Sequence, residues 1–209
     1  MTWIQIREPS GSSDHLNSLL ETVKGSTGQV DNILLAHSLR PHTLAGHMAL
    51  YRSVMHHSAN TLPKPLRESI GLYVSLLNKC VYCIAHHKAA LEQLINDGSI
   101  AARVFDSLAT DHVESTFAGG ALAAMRYVRV LTLTPGNIHE SFVSDMRSAG
   151  LGDAEILEVN QIASYFAYAN RTALGLGVET DKMLGYESGG VSAAPSGVGH
   201  DNSPQPLSA

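Results

Sequence analysis

The chain of 209 residues is 44% hydrophobic and 16% charged, a composition typical of a folded globular protein rather than of a disordered chain. Its 19 acidic residues outnumber its 14 basic ones, for a net charge of −5. The basic residues are scattered, so the sequence lacks the basic patch typical of nucleic-acid-binding proteins. The sequence has no apolar run of the roughly 18 residues that a membrane-spanning helix needs, and the start lacks signal-peptide features; we therefore expect a cytoplasmic protein.

Helical periodicity dominates the chain, and two-residue alternation is weakly suggested only by the segment WIQIRE near the start. Glycine, asparagine or proline stands at the ends of several helical patterns, as is typical of helix boundaries. In chain order, the apolar spacing predicts helices over residues 14–24, 41–57, 65–77, 81–95, 100–108, 116–131, 138–149 and 154–174. The sequence therefore predicts an all-α fold of seven or eight helices.

The chain divides into three segments. Residues 1–30 are expected to form an N-terminal arm and the first helix, and residues 31–186 the helical domain. Residues 187–209 are rich in Gly, Ser and Pro and have few large apolar side chains, so a disordered tail is predicted there.

The segment NKCVYCIAHHKAAL, residues 78–91, contains the only two cysteines of the chain. On a helix, Cys80, Cys83 and His87 share one face, at about 100° per residue. Because the preceding helix is predicted to end near Asn78, the cysteines lie at the start of a new helix, where the helix dipole and free N–H groups favour a thiolate. Residues three apart on a helix lie close enough for a disulfide, so this spacing is typical of a redox pair.

Glu68 lies on the preceding predicted helix. If Asn78, with its tolerance of the left-handed conformation, ends that helix, the two helices fold back antiparallel and Glu68 lies opposite residues 87–91. The predicted spatial order is then Glu68, His87, Cys83, in which a carboxylate orients an imidazole and the imidazole takes the proton of a thiol. The residues that follow Glu68, IGLYVSLL, are predicted to form a buried helix, and an acid in such a helix needs a partner.

Each residue has an alternative role. The cysteines could pack as small apolar side chains, His86 could replace His87, and Glu68 could face solvent in the first turn of its helix. Cys80, Cys83 and His87, with His86 or Glu68, could also ligate zinc, but the second ligand pair of a typical structural zinc site is absent. We predict no bound metal and no cofactor.

The run RESIGLYVSLLNKCVYCIAHHKAAL, residues 67–91, resembles the signature Glu, eleven residues, Cys-x-x-Cys, three residues, His of the AhpD-like alkylhydroperoxidases in the carboxymuconolactone decarboxylase superfamily. The Asn two before the first cysteine, the Tyr-Cys step and the paired His-His are similar to its peroxidase-related branch. The run FAYANRTALGLGVE, residues 166–179, is similar to the last core helix of that branch. The resemblance implies an AhpD-like helical domain that assembles as a homo-oligomer, a dimer, trimer or hexamer.

The resemblance also implies that Cys80 and Cys83 reduce hydroperoxides, with Glu68 and His87 as a proton relay. Our hypothesis is a thiol-dependent alkyl hydroperoxidase or disulfide reductase in which Cys83 attacks, Cys80 resolves and an external dithiol reductant regenerates the pair. Cys80, which is nearer the helix end, is the alternative attacking thiol. Tyr82 stands where the best-studied members of the family carry histidine between the cysteines. The alternatives are a non-redox enzyme similar to the carboxymuconolactone decarboxylases and a zinc-binding structural protein.

Overall fold

The computed structural model describes residues 2–7, 14–25 and 28–180. Within these ranges the regular secondary structure is helical and no strand is formed, which confirms the predicted all-α class. The tail predicted over residues 187–209 lies outside the described residues. The three-segment division of the chain therefore stays a prediction.

The described residues form nine α-helices joined by short connections. A π-helix, Arg52–His56, continues the third α-helix directly, and two short 3₁₀ helices, Val113–Ser115 and Pro135–Asn137, flank the seventh. The α-helices are α1 Asp14–Glu21, α2 Asn32–Leu35, α3 Pro41–Tyr51, α4 Lys64–Leu77, α5 Val81–Ile95, α6 Gly98–Ala109, α7 Gly119–Leu133, α8 Glu140–Ser148 and α9 Asp153–Gly175.

All eight predicted helices are present, with ends shifted by a few residues. The short α2 was not predicted, because four residues are too few to show helical periodicity. The weak strand signal at WIQIRE was wrong. There the backbone N–H of Trp3 donates a hydrogen bond to the carbonyl of Leu176, 2.8 Å away, and this contact ties the N-terminal arm to the end of α9 without forming a strand.

Helix α4 lies at the centre of the fold. Nine consecutive residues, from Arg67 to Ser75, are buried, which is the pattern of a helix covered on every side rather than of a surface helix. It packs against α5, α6, α7 and α9. Polar side chains on α4 are thus held inside the protein, and each of them needs a partner there.

The turn between α4 and α5 positions the cysteines. Asn78 keeps the right-handed conformation, with φ −83°, and Lys79 adopts the left-handed one, with φ 57°. The prediction that Asn78 would be the left-handed residue was therefore wrong by one position. The side chain of Asn78 instead donates a hydrogen bond to Oδ1 of Asn170 on α9, 3.0 Å away, so it anchors the turn rather than reversing the chain.

None of the helices within residues 14–25 and 28–180 is both long and apolar enough to cross a membrane.

Candidate active site

Cys80 and Cys83 form a dithiol pair at the start of α5. Cys80 is the N-cap residue, Cys83 lies in the first turn, and both are buried. Their Sγ atoms are 2.9 Å apart, so forming a disulfide requires an approach of only about 0.9 Å. The predicted location at a helix N-terminus and the predicted proximity of the two sulfurs are both confirmed.

The contacts of the two thiols shift their pKa values in opposite directions. The pKa of Cys80 lies below the ordinary cysteine value, because the thiol and the backbone N–H of Cys83 both donate hydrogen bonds to the Cys80 sulfur. The nearby His86 lowers it further. The pKa of Cys83 is raised, because its thiol proton is held by Cys80 and because the residue is buried. Of the two thiols, Cys80 is therefore the one whose ionisation the local contacts favour.

Asn170 supports the pair from α9. Its side chain hydrogen-bonds the Cys83 sulfur, donates to Oγ of Ser75 at 3.1 Å and accepts from Asn78 at 3.0 Å. Asn170 is completely buried. A buried amide with these three partners holds α4, α9 and the cysteine turn in one register.

Glu68 and His87 are in direct contact across the α4–α5 pair. The Nδ1 atom of His87 lies 2.7 Å from Oε2 of Glu68, and the Glu68 residue is only 6% exposed. The predicted antiparallel pairing of these residues is thus confirmed, and the solvent-facing alternative for Glu68 was wrong. Because the carboxylate engages Nδ1, the imidazole has Nε2 as its free nitrogen.

A cavity of about 200 Å³ lies beside the dithiol. Cys83 and His87 line it, whereas Cys80 is not among its lining residues. Phe166 packs edge-on against the His87 ring with centroids 4.4 Å apart. The residues that line the cavity are Val23, Asp31, Ile33, Leu34, His47, Met48, Tyr51, Tyr82, Cys83, His86, His87, Tyr165, Phe166 and Ala169.

The lining of the cavity also includes a group of residues that sequence reasoning missed. The hydroxyl of Tyr165 lies 3.3 Å from Nε2 of the buried His47, whose ring also packs on His37 with centroids 4.9 Å apart. Burial lowers the pKa of His47 to about 4, and His37 contributes to the same shift. The pKa of Tyr165 is raised, chiefly by burial. Both side chains are therefore neutral at physiological pH.

The irregular spacing of the histidines in HSLRPHTLAGH was the only sequence signal for this group. His37 and His47 do not share one helical face. The connection between α2 and α3 folds back and brings the two rings together. In the part of the chain that the structure describes, no cluster of three or more His, Cys, Asp or Glu side chains is arranged to hold a metal ion.

Comparison with known proteins finds one matching family model and several solved structures with a similar fold. Residues 41–129 match the carboxymuconolactone decarboxylase family, a segment that contains both cysteines, Glu68 and His87. In fold, the chain is similar to an alkylhydroperoxidase AhpD core, an uncharacterized peroxidase-related protein from Ralstonia eutropha JMP134, with a TM-score of 0.76 and 21% identity over 88% of this chain and 94% of that one. The family match covers somewhat less than half of the chain, and the chain shares the AhpD-like fold of these solved structures.

Two further solved structures share this AhpD-like fold. An uncharacterized peroxidase-related protein from Silicibacter sp. TM1040 aligns with a TM-score of 0.75 and 23% identity, over 88% of this chain and 93% of that one. The debrominase Bmp8, in a complex with 2,3,4-tribromopyrrole, aligns with a TM-score of 0.70 and 14% identity, over 88% of this chain and 94% of that one. A search of curated proteins finds no significant match.

Proposed function

We propose that this AhpD-like protein is a thiol-dependent peroxidase that reduces small organic hydroperoxides with the Cys80–Cys83 pair. One observation carries the proposal: two sulfurs 2.9 Å apart lie beside a cavity that one of them shares with a histidine bound to a buried glutamate. This combination supplies a nucleophile, a resolving thiol and a proton acceptor around one small space.

The reaction consumes one hydroperoxide and two thiols. The Cys83 sulfur attacks the terminal oxygen of the hydroperoxide, the O–O bond breaks, and an alcohol leaves after taking up a proton. Cys83 is then a sulfenic acid. The Cys80 thiolate attacks the Cys83 sulfur, water leaves, and a disulfide forms. An external dithiol returns two electrons and two protons, and the alcohol and water are the products.

Accessibility supports Cys83 as the attacking thiol, because Cys83 and not Cys80 lines the cavity. The raised pKa of Cys83 opposes this role, since its thiol must lose a proton before it attacks. His87 is the acceptor that this step requires. Glu68 holds Nδ1 of the imidazole, which leaves Nε2 to take the thiol proton and later to deliver it to the leaving alkoxide.

The size of the cavity limits the substrate. A cavity of about 150 Å³ in another protein holds benzene, so a volume of about 200 Å³ suits a hydroperoxide with one ring or a short alkyl chain. The lining is mostly aromatic and aliphatic, which favours an apolar substituent on the peroxide oxygen.

The test is peroxide consumption by wild type, Cys83→Ser and Cys80→Ser, with cumene hydroperoxide and a dithiol reductant. We expect Cys83→Ser to be inactive. Cys80→Ser should consume one equivalent and stop with a sulfenic acid on Cys83, detectable by mass spectrometry after trapping with a sulfenic-acid reagent. The proposal is wrong if both serine variants keep wild-type turnover, and that result would instead favour a non-redox enzyme similar to the decarboxylases.

A second candidate function uses the same thiol pair to remove bromine from a small aromatic ring. The observation that favours it is the ring-sized cavity, which Tyr51, Tyr165 and Phe166 line, together with the shared fold of the debrominase Bmp8. In that reaction the aryl bromide and two thiols give the arene, a disulfide, bromide and a proton. Release of bromide from tribromopyrrole by the reduced protein tests it.

The hydroperoxide substrate, the dithiol reductant, the homo-oligomer and the cytoplasmic location stay predictions. A zinc-bound form would instead show stoichiometric metal by elemental analysis and would lose its helical circular dichroism signal on chelation.

A further inference from the structure

Arg67, next to Glu68 on α4, is a buried cation that has no counterion among residues 2–7, 14–25 and 28–180. The residue is only 5% exposed, and its Nη1 donates to the carbonyl of Met55 at 2.6 Å, whereas its Nε has no hydrogen-bond partner within the same ranges. In the described ranges no carboxylate lies within ion-pair distance of Arg67.

This arrangement is costly for a guanidinium. Arginine stays charged at every physiological pH, so burial cannot be relieved by loss of a proton. Buried charges in proteins are otherwise paired, and an unpaired one loses its hydration without compensation. One neutral carbonyl does not balance a full positive charge. The chemistry of the residue therefore calls for an anion.

A pocket of about 260 Å³ lies next to the Arg67 side chain, and its polar lining is mainly basic. Lys64 is at the start of α4, where the positive end of the helix dipole adds to its charge. His56, at the end of the π-helix, has a lowered pKa because it is partly buried and lies near Arg67 and Lys64, although Glu68 opposes the shift. The pocket is lined by Met55, His56, Lys64, Arg67, Glu68, Ala90, Gln93 and Leu94.

The pocket contains one acidic residue, Glu68, but its Oε2 is engaged by His87. The two basic side chains, Lys64 and Arg67, therefore outnumber the acid, and neither of them forms an ion pair with it. Positive charge remains in excess in a concave space large enough for a small ligand.

We propose that this pocket binds a small oxyanion group, a carboxylate or a phosphate, through the Nη atoms of Arg67 and the ammonium of Lys64. The guanidinium is suited to the oxygen atoms of such groups, and a bound anion supplies the counterion that the buried charge lacks among the described residues. The site lies on the other side of Glu68 from the cysteine cavity, and it does not depend on the proposed peroxidase reaction.

Two sources can supply this oxyanion: a free small anion, or a carboxylate of a second copy of the chain. Isothermal titration calorimetry with inorganic phosphate at constant ionic strength tests whether the pocket binds an oxyanion. We expect one phosphate to bind per chain. The affinity for phosphate should fall tenfold or more in Arg67→Gln and about threefold in Lys64→Gln. Arg103→Gln, which changes an exposed arginine on α6, is the matched control and should bind as wild type does.

The two sources are separated by repeating the titration across protein concentrations with sedimentation analysis alongside. Phosphate binding that is independent of concentration identifies a free anion. If phosphate binds only when an assembly dissociates, a carboxylate of the second copy occupies the pocket in that assembly. Either result supports the oxyanion site.

A direct readout does not depend on whether Arg67→Gln folds. In wild type, the Nε–H signal of Arg67 in an ¹H–¹⁵N spectrum should shift on phosphate addition or on dissociation of the assembly, and the Arg103 signal should not. The proposal is overturned if the Arg67 signal moves in neither case, or if folded Arg67→Gln binds phosphate as tightly as wild type. Neither result bears on peroxide turnover, which the cysteine variants test separately.

Discussion

The cysteine cavity is lined by two groups of titratable side chains, here called walls, which differ in their hydrogen-bond partners and in the charge state that their surroundings favour. The first wall, on α5, carries Cys83 and His87, which make short contacts with Cys80 and Glu68 behind them. The second wall, where α3 and α9 meet, carries His47 and Tyr165, and burial favours the neutral form of both. The thiol pair and the carboxylate-bound imidazole are thus both on the first wall.

This difference has a structural origin. The α5 wall begins at a helix N-terminus, and a buried carboxylate stands behind it, so charges there have partners. On the α3–α9 wall, burial and the neighbouring His37 penalise protonation of His47. Neutral side chains on this wall suit an uncharged substrate such as an organic hydroperoxide, because they do not form an ion pair with the reacting sulfur.

The largest expected effect comes from neutralising the carboxylate behind the α5 wall. Glu68→Gln keeps the shape of the side chain and a hydrogen bond to His87 but removes the negative charge that favours proton uptake by the imidazole. We expect peroxide turnover to fall about 100-fold, within the range usual for loss of general acid–base catalysis. Glu92→Gln, an exposed position on the same α4–α5 pair, is the control and should leave turnover unchanged.

If Glu68→Gln reacts as fast as wild type at every pH between 6 and 9, the glutamate does not act through His87, and the asymmetry between the walls has no role in the chemistry. Stopped-flow measurement of the oxidation step separates this effect from a change in the slower reduction by dithiol.

The α5 wall was predictable from sequence because its contacts are local. Glu68 and His87 are 19 residues apart, and the connection between their helices is so short that only an antiparallel arrangement is possible. Cys80 and Cys83 lie within one helical turn. Residue spacing and helix geometry were therefore enough to bring these four side chains together. The left-handed residue was misplaced by one because Lys79, with no intrinsic preference for that conformation, takes it while Asn78 is held by Asn170.

The α3–α9 wall could not be predicted in the same way. His47 and Tyr165 are 118 residues apart, and their contact depends on how α3 and α9 pack, which helical periodicity alone does not specify. The same limit applies to Arg67. Its position next to Glu68 was visible in the sequence, but its burial without a counterion follows from packing around the central helix.

The next largest effect is expected from His47 on the α3–α9 wall, whose lowered pKa makes the free energy of unfolding depend on pH. With a pKa of about 4 in the folded protein and 6.5 as the ordinary value, His47 binds fewer protons folded than unfolded between these two pH values. Its contribution to stability is complete above pH 6.5 and is lost progressively as pH falls toward 4. Between pH 7.5 and 5.0 this term should lower the free energy of unfolding by about 2 kcal/mol.

Urea denaturation of His47→Gln and of wild type at the two pH values measures this term. The variant should lack the 2 kcal/mol component, whereas His42→Gln, on the exposed side of the same helix α3, should keep it. An equal pH dependence in wild type and His47→Gln would mean that the imidazole accepts a proton freely in the folded state, and the α3–α9 wall would then not be neutral.

The smallest expected effect is a change in stability caused by the packing of Phe166, which lies between the two walls. The Phe166 ring contacts His87 of the first wall, and its centroid is 5.2 Å from that of Tyr165 of the second wall. Gly71 on α4 leaves room for this ring, since a Cβ at that position would overlap the Phe166 side chain. Gly71→Ala should therefore destabilise the protein by about 1 kcal/mol, because overpacking outweighs the helical preference for alanine.

Gly46→Ala provides the matched comparison, because Gly46 is also within an α-helix but a Cβ there would meet open space. We expect it to raise the free energy of unfolding by about 0.5–1 kcal/mol. Opposite signs for the two variants in urea denaturation would show that Phe166 is packed tightly against α4. Equal stabilisation by both would mean that the ring moves away at little cost, in which case the contact between Phe166 and His87 does not hold the imidazole in place.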